Sequence, residues 1–417
     1  MHFPASHVFW IWLISLGSIL FMLLRPWRIR EAIWISSGAL LLVVSRLIPL
    51  PLATRAVGKG VDVYFFLTGM MLLAELARHE GVFDWIADVA VRRSGNSATR
   101  LFLLIYFTGV VVTALLSNDA TAVVLTPAVL AAVRRARVDP KPYLLACALV
   151  ANAASFLLPV SNPANLVVFG QHIPALGSWL RSFLVPSAVS IAVTCFCLRA
   201  LSRKSLATEA HCPNEPVSLH AVGRLALGGL IFASVVLLTA SALGIGLGIP
   251  TCAAAVASLI VVSIKDRGIF KRAAIEISWS ILPLVAGLFI LVEALNGAGM
   301  LRLIEGAFQW LARQPRLAAC LAASGAAAIL SNAMNNLPVA LAGGAALKLT
   351  PQLSHAVLIG VNLGPNLSVT GSLATILWLI ALRREKVEIT AWQFFKTGLV
   401  VMPTALVLSI LSLWLTA

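Results

Sequence analysis

Apolar runs long enough to cross a bilayer recur along this chain, and they dictate what it can become. The stretches 225–243 and 250–264 carry no charged side chain at all. Eight more read as crossings near 8–24, 31–48, 61–78, 143–169, 179–198, 278–297, 353–382 and 391–415. A membrane helix needs about 20 largely apolar residues. In hydrocarbon every backbone N–H and C=O must be satisfied inside the protein, which leaves helices or closed barrels. These runs are continuous rather than alternating, so they predict helices. Composition agrees: 60% of the 417 residues are hydrophobic and 11% charged, against about 45–50% and 25% in soluble domains. A soluble enzyme, a disordered chain and a disulfide scaffold are excluded. The expected class is an all-α polytopic membrane protein.

Two further apolar stretches, 100–134 and 317–349, are each interrupted midway by polar residues. They read as re-entrant hairpins that enter and leave on one side. With the N-terminus outside, this scheme puts 23 of the 31 Lys and Arg inside, among them Arg134, Lys204 and Arg384, and leaves eight outside. That is the bias of the positive-inside rule. Were either hairpin a full crossing, every later basic loop would change sides. The net charge of +15 therefore reads as topology, with the lipid bilayer as partner, and not as nucleic-acid binding. Both termini are expected in the periplasm, with the chain in the inner (plasma) membrane. No Lys or Arg precedes Arg25, so the first apolar stretch is expected to stay in the mature protein. Cys147, Cys195, Cys197, Cys212, Cys252 and Cys320 show no metal-ligand spacing and read as small packing residues.

The two halves share landmarks. Gly69, Glu75 and Gly81 recur 218 residues later as Gly287, Glu293 and Gly299. Ser117-Asn118 recurs 214 later as Ser331-Asn332, and Asn152 recurs 210 later as Asn362. The expected units are 1–200 (hairpin 100–134, broken helix 143–169) and 223–417 (hairpin 317–349, broken helix 353–382), joined by a cytoplasmic linker, 201–222. Each unit has five crossings. An odd number inverts the second unit relative to the first, the architecture of a secondary transporter with its site near the midplane. After the third crossing of each unit, residues 82–93 and 300–313 read as amphipathic arms. In the first, Asp84, Asp88, Arg92 and Arg93 form the polar face.

Four polar clusters fall within the apolar runs: Ser117–Thr121, Ser331–Pro338, Pro159–Asn165 and Gly364–Leu373. Irregular polar backbone is tolerated at membrane depth only where it is buried in protein or lines a cavity. The candidate binding residues are therefore Ser117, Asn118, Asp119, Ser161, Asn162, Asn165, Asn332, Asn335, Asn336, Thr370, Ser372 and Thr375. Asn118, Asn162, Asn335 and Ser372 are expected to line one pocket. None of the clusters holds Lys or Arg, so nothing is dedicated to a carboxylate or phosphate. Asp119 is their one acid. A desolvated carboxylate is costly in a membrane and is a functional candidate by default, here as a proton carrier. Glu75 and Glu293 are second-rank coupling candidates.

The runs Ser117-Asn-Asp-Ala-Thr-Ala-Val-Val-Leu-Thr-Pro127, Ser331-Asn-Ala-Met-Asn-Asn-Leu-Pro338 and Leu363-Gly-Pro-Asn-Leu-Ser-Val-Thr-Gly-Ser-Leu-Ala-Thr-Ile-Leu-Trp378 resemble the arsenical pump membrane proteins, arsenite permeases of the ion-transporter superfamily. The resemblance covers nearly the whole chain. It implies an exporter of arsenite and antimonite in exchange for protons, without a cofactor, that in some relatives works with a soluble arsenite-stimulated ATPase. Asn362 and Asn366 stand where some relatives carry Asp and Lys, which throws weight on Asp119 as the coupling group. Two alternatives remain open at this point. One is a sodium/proton antiporter. The other is a carboxylate/sodium symporter, a class that uses Ser-Asn-Thr at both hairpin tips, where this chain has Ser-Asn-Asp and Ser-Asn-Ala. An intramembrane enzyme is disfavoured, because the chain has no His-Glu-x-x-His, no Gly-x-Ser-x-Gly and no His–Asp pairing.

The orientation is testable in a background free of native cysteines. Lys204→Cys should resist an impermeant thiol reagent added to intact cells, and Lys348→Cys should react. Labelling of position 204 from outside would overturn the scheme.

Overall fold

The computed structural model describes every residue except 1–4, 25, 27–28, 171–172, 212–214, 346–350 and 417. Arg25, Arg28, Cys212 and Lys348 thus lie outside the described residues. The first half runs α1 (Ala5–Leu24), α2 (Glu31–Val44), α3 (Leu50–Lys59), α4 (Val61–His79), α5 (Val82–Arg93), α6 (Ala98–Leu115), a π-helical turn (Ala120–Leu125), α7 (Thr126–Arg135), α8 (Lys141–Ala153), a 3₁₀ turn (Pro159–Ser161), α9 (Pro163–Phe169) and α10 (Leu176–Leu201). The second half repeats the order: α11 (Ala221–Ala242), α12 (Gly248–Ser263), α13 (Ile269–Glu276), α14 (Ile281–Gly297), α15 (Met300–Leu311), α16 (Arg316–Met334), α17 (Asn336–Ala345), α18 (Pro351–Leu363), two 3₁₀ turns (Gly364–Asn366, Val369–Gly371), α19 (Leu373–Arg384) and α20 (Ala391–Thr416).

Among the described residues, seven helices are long and apolar enough to span a membrane, or eight counting α3 and α4, bent by 47°, as one. Two of the seven, α6 and α16, are the entering arms of the hairpins. The ten expected crossings are then α1, α10, α11, α14 and α20, the bent pair, the shorter apolar helices α2 and α12, and the two broken crossings α8–α9 and α18–α19. The broken pair escapes a length criterion because each crossing is divided by irregular backbone.

Packing sorts the helices into two bundles. The first four helices of each half pack together, α4 against α12 and α14 against α2. The hairpins, broken crossings and final helices form the other bundle, with α10 on α20, α6 on α8, α16 on α18 and α9 on α17. Without a hydrophobic force between helices in lipid, such contacts rest on close backbone approach at small residues. A Cβ on Gly69 would meet the Thr251 carbonyl carbon at 2.7 Å, and one on Gly287 the Ile35 side chain at 2.8 Å. The repeated Gly81 and Gly299 serve differently. At φ +69° and +99° they turn the chain into α5 and α15, a conformation that glycine adopts without steric cost.

The arms differ from the simple amphipathic reading. Asp88, expected on the polar face of α5, is 2% exposed. It pairs with Arg92 (3.0 Å) and Arg135 (3.3 Å) and accepts the Val217 N–H (3.1 Å). A buried carboxylate is tolerable only when paired, and here the pairing ties the arm to α7 and to the linker. On α15 only Met300 is buried. Leu303 and Trp310 are more than 60% exposed, while Ile304, Phe308 and Leu311 are half-buried against the core.

Gly69→Val should lower the thermal midpoint of the detergent-solubilised protein, with overpacking costing about 1–3 kcal/mol. Gly325→Ala, where a Cβ meets nothing within 4 Å, should leave it unchanged or raised. Equal midpoints for the two variants would refute the close-approach argument.

Candidate functional site

Each interruption of a helix frees backbone groups that the fold must satisfy. At the first hairpin tip, Ser117 Oγ accepts the Ala120 N–H (3.2 Å), and the Thr113 and Thr121 hydroxyls bond across the hairpin (2.8 Å). At the second, Asn335 takes φ +73°, and its Oδ1 accepts the Leu337 N–H at 3.4 Å. Asn162 caps α9 by accepting the Ala164 N–H (2.9 Å), as Ser372 caps α19 by accepting that of Thr375 (3.2 Å). Both positions match the side-chain oxygen geometry of an N-cap.

Several candidate residues stitch these elements together. Ser161 Oγ donates to the Ala114 carbonyl (3.1 Å) and joins the first break to its hairpin. Asn332 Nδ2 donates to the Gly364 carbonyl (2.8 Å), and its Oδ1 accepts from Ser368 (2.6 Å). Thr370 donates to the Asn332 carbonyl (3.2 Å), and Thr375 to the Val369 carbonyl (2.9 Å). Asn165 Nδ2 donates to the Ser155 carbonyl (2.8 Å). These residues hold the frame and do not line the pocket described next.

The hub of the frame is Asn362. Its Oδ1 accepts from Ser155 Oγ (2.5 Å) and Asn162 Nδ2 (2.8 Å). Its Nδ2 donates to Asn165 Oδ1 (3.0 Å) and the Leu358 carbonyl (2.9 Å). Asn366 Oδ1 accepts from Asn152 Nδ2 (2.9 Å), and its Nδ2 donates to the Leu149 carbonyl (3.1 Å). All of these side chains are buried. Neutral amides thus join the two broken crossings.

Around the hairpin tips and the two caps lies a cavity of about 20 Å³ lined by Asn118, Asp119, Asn162, Asn336 and Ser372, with Leu67, Pro163, Ile281, Leu337, Leu373 and Ala374. The lining is nearly symmetric. Asn118 and Asn336 are 218 positions apart, as are Gly69 and Gly287; Asn162 and Ser372 are 210 apart. The equivalence corrects the sequence pairing of Ser117-Asn118 with Ser331-Asn332, which is displaced by one helical turn. Helix α6 ends before its Ser-Asn pair, whereas α16 runs through its own to Met334. Asn336, and not Asn335, therefore faces the pocket. The symmetry breaks at one polar position, with Asp119 opposite Leu337. The pocket lining contains no Lys or Arg, and Asn118 Oδ1 is buried without a partner.

Of two larger cavities, one shares Leu67, Asp119, Pro163 and Ile281 with the pocket and the other shares none of its lining. One, about 60 Å³, is lined by Ser117, Asp119, Met71, Ala74, Glu75 and Val123 among others. The other, about 820 Å³, is lined by Phe289, Val292, Glu293 and Leu341 together with Lys59 and Asp62. Met71/Phe289, Ala74/Val292, Glu75/Glu293 and Val123/Leu341 are each 218 apart. The cavities are thus repeat-related and unequal. Neither glutamate reaches the pocket itself: Glu75 pairs with Arg78 (2.7 Å) and Glu293 with Lys59 (2.8 Å). Leu67 and Ile281, the pocket's wall from the other bundle, carry no sequence signal that marks them.

Asn362→Ala should remove bonds to Ser155, Asn162 and Asn165 at once and leave Asn165 Oδ1 without its donor. At about 1–3 kcal/mol for each buried group left unsatisfied, it should cost far more thermal stability than Asn118→Ala, which removes an acceptor already unpaired. Equal losses would show that the amide lattice does not hold the frame.

The citrate-transporter family CitMHS matches residues 12–365. The arsenical pump membrane protein of Yersinia enterocolitica is 28% identical over 359 residues, 79% of this chain and 81% of its own length. That of Escherichia coli K12 is 30% identical over 363 residues, with the same coverage. The crystal structure of the Alcanivorax borkumensis YdaH transporter, reported for its unusual topology, covers 87% of both chains at a TM-score of 0.59. At 17% identity that likeness shows the fold alone. The chain is a membrane transporter, not an enzyme; it belongs to the CitMHS transporter family and is related to the arsenical pump membrane proteins.

Proposed function

We propose that this protein exports arsenite and antimonite across the inner membrane in exchange for protons. The solute binds at Asn118, Asp119, Asn162, Asn336 and Ser372, and Asp119 is the coupling group. The observation that carries this reading is the donor set of the pocket: amides, a hydroxyl, one carboxylate and no cation, with Asn118 Oδ1 unpaired. An unsatisfied buried acceptor costs free energy until a donor arrives. Arsenous acid is a small neutral trihydroxide near neutral pH, and its three O–H groups supply donors. A citrate anion demands the opposite, several cationic donors for its carboxylates, and would face Asp119 across a cavity of about 20 Å³. No cysteine lines the pocket, which suits release, since thiolates hold soft ions tightly.

A neutral cargo is not driven by membrane potential, so energy enters through a titrating protein group. Deprotonated Asp119 adds an acceptor for a hydroxyl of the solute and favours loading. Protonated, it is a weaker acceptor that carries a donor of its own, and it favours release. Exchange then follows if loading occurs from the cytoplasm and protonation from the periplasm. By the charge bias, the 820 Å³ cavity faces the periplasm and the 60 Å³ cavity the cytoplasm. A soluble ATPase is not needed for this cycle, although one acting on the same carrier is compatible with it.

The test is arsenite flux in proteoliposomes at matched pH and after a pH step. Asp119→Asn keeps the side-chain size and mimics the protonated form. It should abolish pH-driven accumulation while the protein folds. Asn118→Ala should weaken apparent affinity about two- to tenfold, the worth of one hydrogen bond. Accumulation at the wild-type level by Asp119→Asn would remove the coupling assignment, and drive by a sodium gradient in place of protons would favour the sodium-coupled alternative.

A further inference from the structure

The smaller cavity has a feature that its large counterpart lacks. Its lining is apolar apart from Ser117 and Asp119, which lie at the pocket, and Glu75 and Ser278. At about 60 Å³ it has room for a short file of waters, each needing roughly 10–15 Å³. Beyond Glu75 the titratable groups continue outward. Arg78 bonds Glu75 at 2.7 Å and also pairs with Glu276, the last residue of α13 in the other half. His79 Nε2 lies 3.3 Å from both Arg78 and Glu276. The Glu75 and His79 side chains are about one-sixth exposed and that of Glu276 about two-fifths. The cluster therefore grades from cavity to surface.

Next to His79, Glu80 is buried and pairs with His220, and α13 adds exposed Lys271 and Arg272, the latter paired with Asp266. Helices α9 and α12 carry no charged residue, and α14 has only Glu293, paired with Lys59 at the opposite cavity. In α5, Asp88 and Arg92 pair with each other, while Asp84 and Arg93 are exposed, as is Arg224 of α11. The Glu75, His79 and Glu276 ligand atoms lie within 4.8 Å of one another. The guanidinium already bonds both carboxylates, which takes up oxygens that a metal ion would need. The repeat mate of His79 is Gly297. On that side the 820 Å³ cavity is lined by Lys59, Asp62 and Glu293 and not by Asp119.

We propose that Glu75, with His79 and Glu276, is the proton port that serves Asp119 from the closed side of the pocket. Protons pass between the surface, His79 or Glu276, Glu75 and the cavity waters, and no other bond is made or broken. The inference rests on the reading of Asp119 as the coupling group. It assigns Glu75 to proton delivery and not to solute binding, so the two kinds of transport should separate.

The experiment uses the full chain in oriented proteoliposomes with radiolabelled arsenite. Glu75→Gln should lower pH-driven accumulation at least tenfold while solute exchange at equal pH stays within twofold. Glu75→Asp, which keeps the carboxylate, should recover most of the driven flux. Wild-type accumulation by Glu75→Gln, or equal loss of exchange and accumulation, overturns the port. A wild-type protein that carries no arsenite in either mode refutes the substrate reading instead. The port is then read by time-resolved infrared after a pH step on the Glu276 face, through the carboxyl band missing in Asp119→Asn. A rise slowed at least tenfold in Glu75→Gln supports the port, and an unchanged rise overturns it.

Discussion

A bilayer offers no water to a broken helix, and this protein breaks four of them at depth. Each break frees N–H and C=O groups that cost several kcal/mol if left bare. The answer here is a lattice of short polar side chains centred on Asn362, which bonds Ser155, Asn162 and Asn165 across the two halves. The caps at Asn162 and Ser372 and the stitches from Ser161 and Asn332 depend on that alignment. Once the lattice is in place, the hairpin tips and half-helix starts have nowhere to converge but on one small cavity.

That cavity is nearly symmetric, and its departures from symmetry carry the chemistry. Amide faces amide at Asn118 and Asn336, and cap faces cap at Asn162 and Ser372. Asp119 faces Leu337, so a single titrating group sits at a position the duplication would otherwise have made neutral. The two larger cavities repeat the asymmetry on a larger scale, at about 60 and 820 Å³. Two halves of similar sequence thus hold different conformations in one chain. Each bundle takes elements from both halves, and the pocket lies on the seam between bundles, where Leu67 and Ile281 close it.

Much of this was legible in the residues, and the misreadings have physical causes. Apolar runs, basic loops and repeated glycines gave the class, the crossings and the hairpins, because the bilayer enforces each of them locally. The pairing of the two Ser-Asn dipeptides failed, since similarity of letters does not say where a helix stops. Helix α16 carries its Ser331-Asn332 within the last turn, and the tip falls at Asn335. Asp88 likewise read as a solvated residue on an amphipathic arm. Its partner Arg135 and the Val217 N–H lie far away in sequence, and nothing local announces them.

By itself, then, the sequence determined that this chain lies in a membrane, that its second half inverts its first, and that four polar clusters interrupt its helices. Those properties follow from hydrophobicity, charge and parity, which are sums over neighbouring residues. Which polar residues build the frame and which face the cavity was decided only by tertiary structure. Asn165, Asn332 and Asn336 are chemically identical, yet the first two are held by carbonyls and amides across the breaks and the third borders the pocket. The difference lies in the partners within reach, and those partners come together only when the two halves pack.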